Sequence, residues 1–162
     1  MIKQVPIIQD NPKRYFIGKN IRTSLSENKT YELWSAFMQR KKEIKPIVNS
    51  DLFSIQEYPS GLEMSNFTPQ TIYTKWAAVE VSAIGILPEG MQPLVIPDSK
   101  YAIFVHKGPA STFHLTANFI YSQWLPKSGY KLGDLPHFEV MSDKYLGHDN
   151  PASEEEVWIP IK

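Results

Sequence analysis

The stretch 101-YAIFVHKGPASTFHLTANFIYSQWLP-126 sets two periodicities side by side. From Tyr101 to Lys107, β-branched and aromatic residues dominate and read as a strand, closed by the Gly108-Pro109 turn. After Ser111, a suitable N-cap, Phe113, Ala117, Ile120 and Trp124 recur at four- and three-residue steps. That spacing predicts an amphipathic helix stopped by Pro126. Working outward, 137–141 (HFEVM) and 157–161 (VWIPI) again have strand character. The first half carries the same order: strand 15–25, helix 29–44, and strands 52–58 and 75–84. The helix there is capped by Asn28 or Thr30 and marked by Tyr31, Trp34, Phe37, Met38, Lys41 and Ile44. Residues 59–74 and 87–99 are rich in Pro, Gly, Ser and Asn and read as loops or a link between halves.

Strand, helix, strand, strand, repeated, is the signature of an α+β fold. The expectation is one domain over 1–162, built from two units at about 12–86 and 90–162 that share architecture without residue-by-residue identity. Each unit lays its helix on an antiparallel sheet, so both helices share one face and a ligand cleft opens on the other.

Composition narrows the function classes. The 162 residues carry 17 Lys and Arg against 17 Asp and Glu, with no strongly basic or acidic half. The basic face that supplies non-specific affinity for phosphates is missing, so direct nucleic-acid binding is not expected. There is no cysteine, which excludes disulfides, thiolate zinc sites and cysteine nucleophiles. His106, His114, His137 and His148 show neither HxH nor HExxH spacing, so no metal is expected. GxSxG, GxGxxG and GxxxxGK are all absent, and no cofactor is expected. No apolar window is long enough for a membrane span or a secretory leader, which gives a cytoplasmic location by default.

Side-chain alternation then sorts the strands. If the apolar set marks the helix side, Phe53, Ile55, Val79, Val81, Phe138, Val140, Val157, Ile159 and Ile161 face the helices. Gln56, Tyr58, Trp76, Glu80, Glu139, Met141 and Trp158 then share the open face, with His137 at its edge. Aromatic walls around one carboxylate suit a flat, cationic or polarisable ligand. The same face could instead pack on a protein partner or a second copy as a homodimer. Trp34 and Phe37, spaced as core residues, are weaker candidates at the cleft border. Glu154 to Glu156 read as a solvated loop, and Arg40 to Lys42 as cations suited to a helix C-terminus.

YAIFVHKGP, WLPKSGY, LPHFEVM and EEEVWIPIK, in that order, resemble the GyrI-like small-molecule-binding family, the effector-binding domains of some AraC- and MerR-type bacterial transcription regulators. ELWSAFMQR and KWAAVEV agree in the first half, so the resemblance covers roughly 12–162. It implies the duplicated fold and a ligand cleft. It also implies that Glu139, in the FE motif of the penultimate strand, faces cationic, multidrug-type ligands, with Trp158 lining the pocket. Stand-alone members include metal-independent hydrolases that open strained cyclopropane rings, and there Glu139 would act as a general base. No helix-turn-helix precedes the pattern here, so a stand-alone role is expected. Three readings stay open: a binder of an amphipathic, aromatic or cationic compound, a hydrolase of strained electrophiles, and a modulator of a larger enzyme.

Overall fold

A computed structural model describes residues 3–162. Its strands are β1 (Ile7–Asn11), β2 (Arg14–Thr23), β3 (Leu52–Glu57), β4 (Tyr73–Val81), β5 (Gln92–Ile96), β6 (Ser99–Lys107), β7 (His137–Met141) and β8 (Glu154–Ile161). They form one antiparallel sheet in the order β1-β6-β8-β7-β3-β4-β2-β5. Replacing each of the first four strands by its counterpart four later reverses that order onto itself. The fold is α+β, with its helices on a single antiparallel sheet.

Two strands go beyond the sequence reading. IIQDN and QPLVI lie at the two edges, mostly exposed, so neither carries the apolar alternation that marks a half-buried strand. Each also pairs across the halves: β1 lies on β6 with Ile7 opposite Ile103, and β5 lies on β2 with Leu94 opposite Phe16. Residues 92–96 are therefore a strand rather than part of a linker.

The first helix, α1 (Thr30–Met38), is shorter than the periodicity suggested, and a 3-10 turn, Lys41–Glu43, follows it. The Asn28 side chain accepts the Thr30 backbone N–H at 2.9 Å just before it. The second helical stretch runs as α2 (Phe113–Asn118), a π-helical turn Phe119–Trp124, and α3 (Leu125–Ser128). Pro126 does not end it. Proline has no N–H to give Ser122 and its ring would crowd that carbonyl, a conflict eased by the widened turn just ahead. The stop comes at Gly129, whose φ of 81° is left-handed.

Both helices pack on the same face. Leu33 and Phe37 of α1 sit on Ile17, Ala77, Val79 and Val81 of β2 and β4. Phe119 and Ile120 sit on Ala102, Phe104, Val157 and Ile159 of β6 and β8. The central strands β3 and β7 lie between the two helices.

The opposite face is a third core: Phe16, Phe53, Ile55, Trp76, Tyr101, Ile103, Phe138, Val140 and Trp158. Here β3 and β7 turn their apolar sides the opposite way from the expectation. Ile55 pairs with both Trp76 and Phe138, and Phe138 pairs with Trp158, so these four share one face. Phe53, Ile55, Phe138 and Val140 thus point away from the helices, while the assignments for β4 and β8 hold. The apolar set marks the drier face, and in the middle of this sheet the drier face is the one without helices. That face is dry because the sheet curls. Phe16 on β2 and Trp158 on β8 are four strand spacings apart, about 19 Å in a flat sheet. Yet the Arg14 guanidinium lies 5.6 Å from one ring centroid and 5.2 Å from the other.

Candidate functional site

Between the helices the sheet presents the other side of β3 and β7, and it is polar. Ser54 pairs with Ala77 and Glu139, and Glu139 with Val157, which puts the Glu139 row on the helix-bearing face. Gln56 pairs with Lys75 and His137 and forms the next row. No helix seals these strands, so their side chains here need not be apolar.

Glu139 is half-buried on this face, beside the buried Ser54, Gln56 and His137. Gln56 Nε2 donates to its Oε1 at 3.2 Å and lies 3.3 Å from Ser54 Oγ. Burial pushes the Glu139 carboxyl up to about 8, and the charge of Glu155 adds to that; Lys75 and the Gln56 hydrogen bond oppose it. Glu155 is itself raised to about 7 by burial, again opposed by Lys75. Burial lowers the Lys75 ammonium, while Glu139 and Glu155 favour its charge. Two carboxyls held above the usual carboxylate range thus act electrostatically on Lys75, whose own charge burial disfavours.

Aromatic and imidazole groups close one end. Burial pushes His137 down to about 3, so its ring is neutral. The Tyr121 hydroxyl, kept protonated because burial raises its pKa, shares a 2.7 Å hydrogen bond with His137 Nδ1. Tyr58 sets its ring 4.8 Å from His137, 5.3 Å from Tyr73 and 5.7 Å from Phe67.

The residues singled out from the sequence separate into groups. Glu139, Tyr58 and Met141 lie on the helix-bearing face, with Met141 opposite Leu52. Trp76 and Trp158 lie on the other face, where Trp158 stacks on Phe138 at 5.1 Å, so they do not face Glu139 across one open surface. Their indole N–H groups donate to Glu57 and Glu156 respectively. Phe37 is fully buried under α1, and Trp34 packs edge-on to it at 5.8 Å. Lys75, Glu155, Tyr73 and Tyr121 were missed. Lys75 was legible, since it shares the parity of Ala77 and Val79. Glu155 was hidden by reading 154–156 as a loop, whereas β8 begins at Glu154 and turns Glu155 to the side of Val157.

The aromatic face has its own charge. Arg14 makes a two-pronged contact with Glu80, at 2.8 and 2.9 Å. Its guanidinium also lies 5.2 to 5.6 Å from the rings of Phe16, Phe53, Phe138 and Trp158. Among the described residues no cluster of metal-ligating side chains occurs, and no helix is long and apolar enough to cross a membrane.

Residues 4–162 match the GyrI-like small molecule binding domain. The chain belongs to that family. The transcriptional regulator BrlR of Pseudomonas aeruginosa is 27% identical over 163 residues, covering 95% of this chain and 54% of BrlR. This GyrI-like chain thus spans about half the length of that curated relative. Two solved structures share the fold at a TM-score of 0.74. SAV2435 bound to tetraphenylphosphonium is 12% identical, covering 98% of this chain and 94% of that one. The EcmrR C-terminal domain is 16% identical, covering 100% and 99%.

Proposed function

We propose that this GyrI-like chain binds an amphipathic, aromatic or cationic small molecule in the cleft between its helices, with Glu139 as the counter-charge. What supports this reading is a half-buried carboxyl, Glu139, that burial holds above the usual carboxylate range near the rings of Tyr58, Tyr73 and Tyr121. Such an arrangement offers aromatic area and a charge that is costly to leave unpaired, so a lipophilic cation gains from both. That a neighbour of the same fold was solved with tetraphenylphosphonium agrees with a bulky aromatic cation as ligand. The likeness to a transcriptional regulator suggests that binding here reports to another protein or domain.

The test is calorimetric titration of the full chain with tetraphenylphosphonium at pH 8, beside Glu139→Gln. Saturable binding weakened roughly tenfold or more in the variant is the expected result, since charge-assisted contacts contribute about 1.5–3 kcal/mol. Unchanged affinity would remove Glu139 from the site.

A second reading is favoured by the pairing of Glu139 and Glu155, held near 8 and 7: hydrolysis of an electrophilic small molecule, with Glu139 as general base. Turnover to a hydrated product that disappears in Glu139→Gln would support it. Binding with no turnover across a panel of strained electrophiles would leave the binder.

A further inference from the structure

A cavity of about 650 Å³ lies between the loop that follows β3 and the helical stretch before β7. Its apolar lining includes Leu62, Met64, Leu125, Pro126 and Leu132. Tyr121 belongs to this lining and also reaches through to His137, two residues from Glu139 on β7. One side of the ring thus borders the cavity while its hydroxyl touches the cleft floor. Tyr121 sits in the π-helical turn, where the widened backbone shifts the register of following side chains. The loop wall, by contrast, is built from partly exposed side chains, and Met64 is unbranched and adaptable.

We propose that this cavity seats the apolar part of the ligand, and that Tyr121 forms the partition over which its polar end reaches Glu139. The ligand class is then an elongated amphiphile, with a compact cationic head and an apolar body long enough to span both compartments. The inference rests on the binding reading above, because the head is placed by Glu139. The apolar part of the lining argues for the tail: Leu62, Met64, Leu125, Pro126 and Leu132 offer an apolar group a gain from leaving water, while Glu63, Lys131 and the Lys162–Asp134 pair also line the cavity.

The test is a chain-length series of n-alkyltrimethylammonium ions, ethyl to octyl, each titrated into the full chain by calorimetry below its micelle concentration. Affinity is expected to rise up to about fourfold per added methylene until the cavity is filled. Ser122→Trp, which places an indole on the cavity rim from an exposed position, and Met64→Glu, which puts a charge in its wall, are expected to flatten that rise. Ser122→Trp is expected to leave the shortest ion's affinity unchanged. Glu139→Gln is expected to weaken every member by a common factor and keep the slope. A slope that persists in both cavity variants overturns the inference while leaving the Glu139 reading intact. A slope lost in the cavity variants, with no effect of Glu139→Gln, would retain the apolar seat and sink the counter-charge. Affinity independent of length in the unmodified chain overturns the proposal outright.

Discussion

Glu139 shows how one side chain's surroundings set the behaviour of the site. A carboxyl held near 8 when folded and near 4.5 when unfolded keeps a proton that the unfolded chain releases. Its protonated form therefore contributes stability that is fully present below about pH 4.5 and is lost as pH rises through about 8. Glu155, raised to about 7, acts with the same sign. Lys75, lowered by burial, acts the other way as pH climbs toward the ordinary lysine range. Urea midpoints at pH 6 and pH 9 should therefore fall less in Glu139→Gln than in the unmodified chain. An equal fall in both would mean that Glu139 is not the group responsible. Ligand binding has the opposite dependence: a permanent cation favours the carboxylate, so its affinity should fall by up to about tenfold per pH unit below 8 until it reaches that of Glu139→Gln.

Among the elements, the central strands show what alternation can and cannot reveal. The bounds of β7 and most of β3 were legible, as was the apolar side of β4 and β8. The face of β3 and β7 was not. Period two says which residues share a face but not which face carries the helices, and the clue to the exchange was chemical: Ser54 with Glu139 and Gln56 with His137 form two polar rows that an apolar helix face would not cover. Close approach between β2 and β4 gives a sharper test. A Cβ on Gly18 would lie 2.1 Å from the Ala77 carbonyl oxygen and 2.8 Å from Ala78 Cα, both backbone-fixed. Gly18→Ala must push these strands apart, at a cost of about 1–3 kcal/mol, read as a lower denaturant midpoint with an unchanged slope. A neutral result would mean that the pair has slack.

At the scale of the whole molecule, the curl of the sheet gathers Phe16, Phe53, Phe138 and Trp158 around Arg14. The Arg14–Glu80 pair keeps only 17% and 14% of its side-chain surfaces exposed. Arg14→Ala strands the Glu80 charge and empties the space between the rings, so a loss of roughly 3 kcal/mol is expected. Arg14→Met with Glu80→Met should recover much of it. A double variant no better than Arg14→Ala would mean that the guanidinium's contacts with the rings matter more than charge balance. The face shared by Glu80, Trp76 and Trp158 was legible from alternation, but the Arg14 partnership was not, because Arg14 and Glu80 are far apart in sequence and neither has an unusual neighbour. The edge strands were invisible for a related reason: what defines IIQDN and QPLVI is the partner each finds in the other half.

That exchange of edge strands orders events during synthesis. β1 leaves the ribosome well ahead of its partner β6, which ends at Lys107, about a hundred residues later. At typical elongation rates of about 5–20 residues per second, Ile7 and Ile8 wait on the order of 5–20 s with their backbone groups unpaired. β2 faces a similar wait for β5, although β4 reaches it sooner. The amino-terminal half cannot finish its own edge and release the polypeptide as a completed unit. Chaperone demand should therefore be set by the interval between the two halves, and synonymous codons that slow translation across residues 82–98 would prolong the exposure.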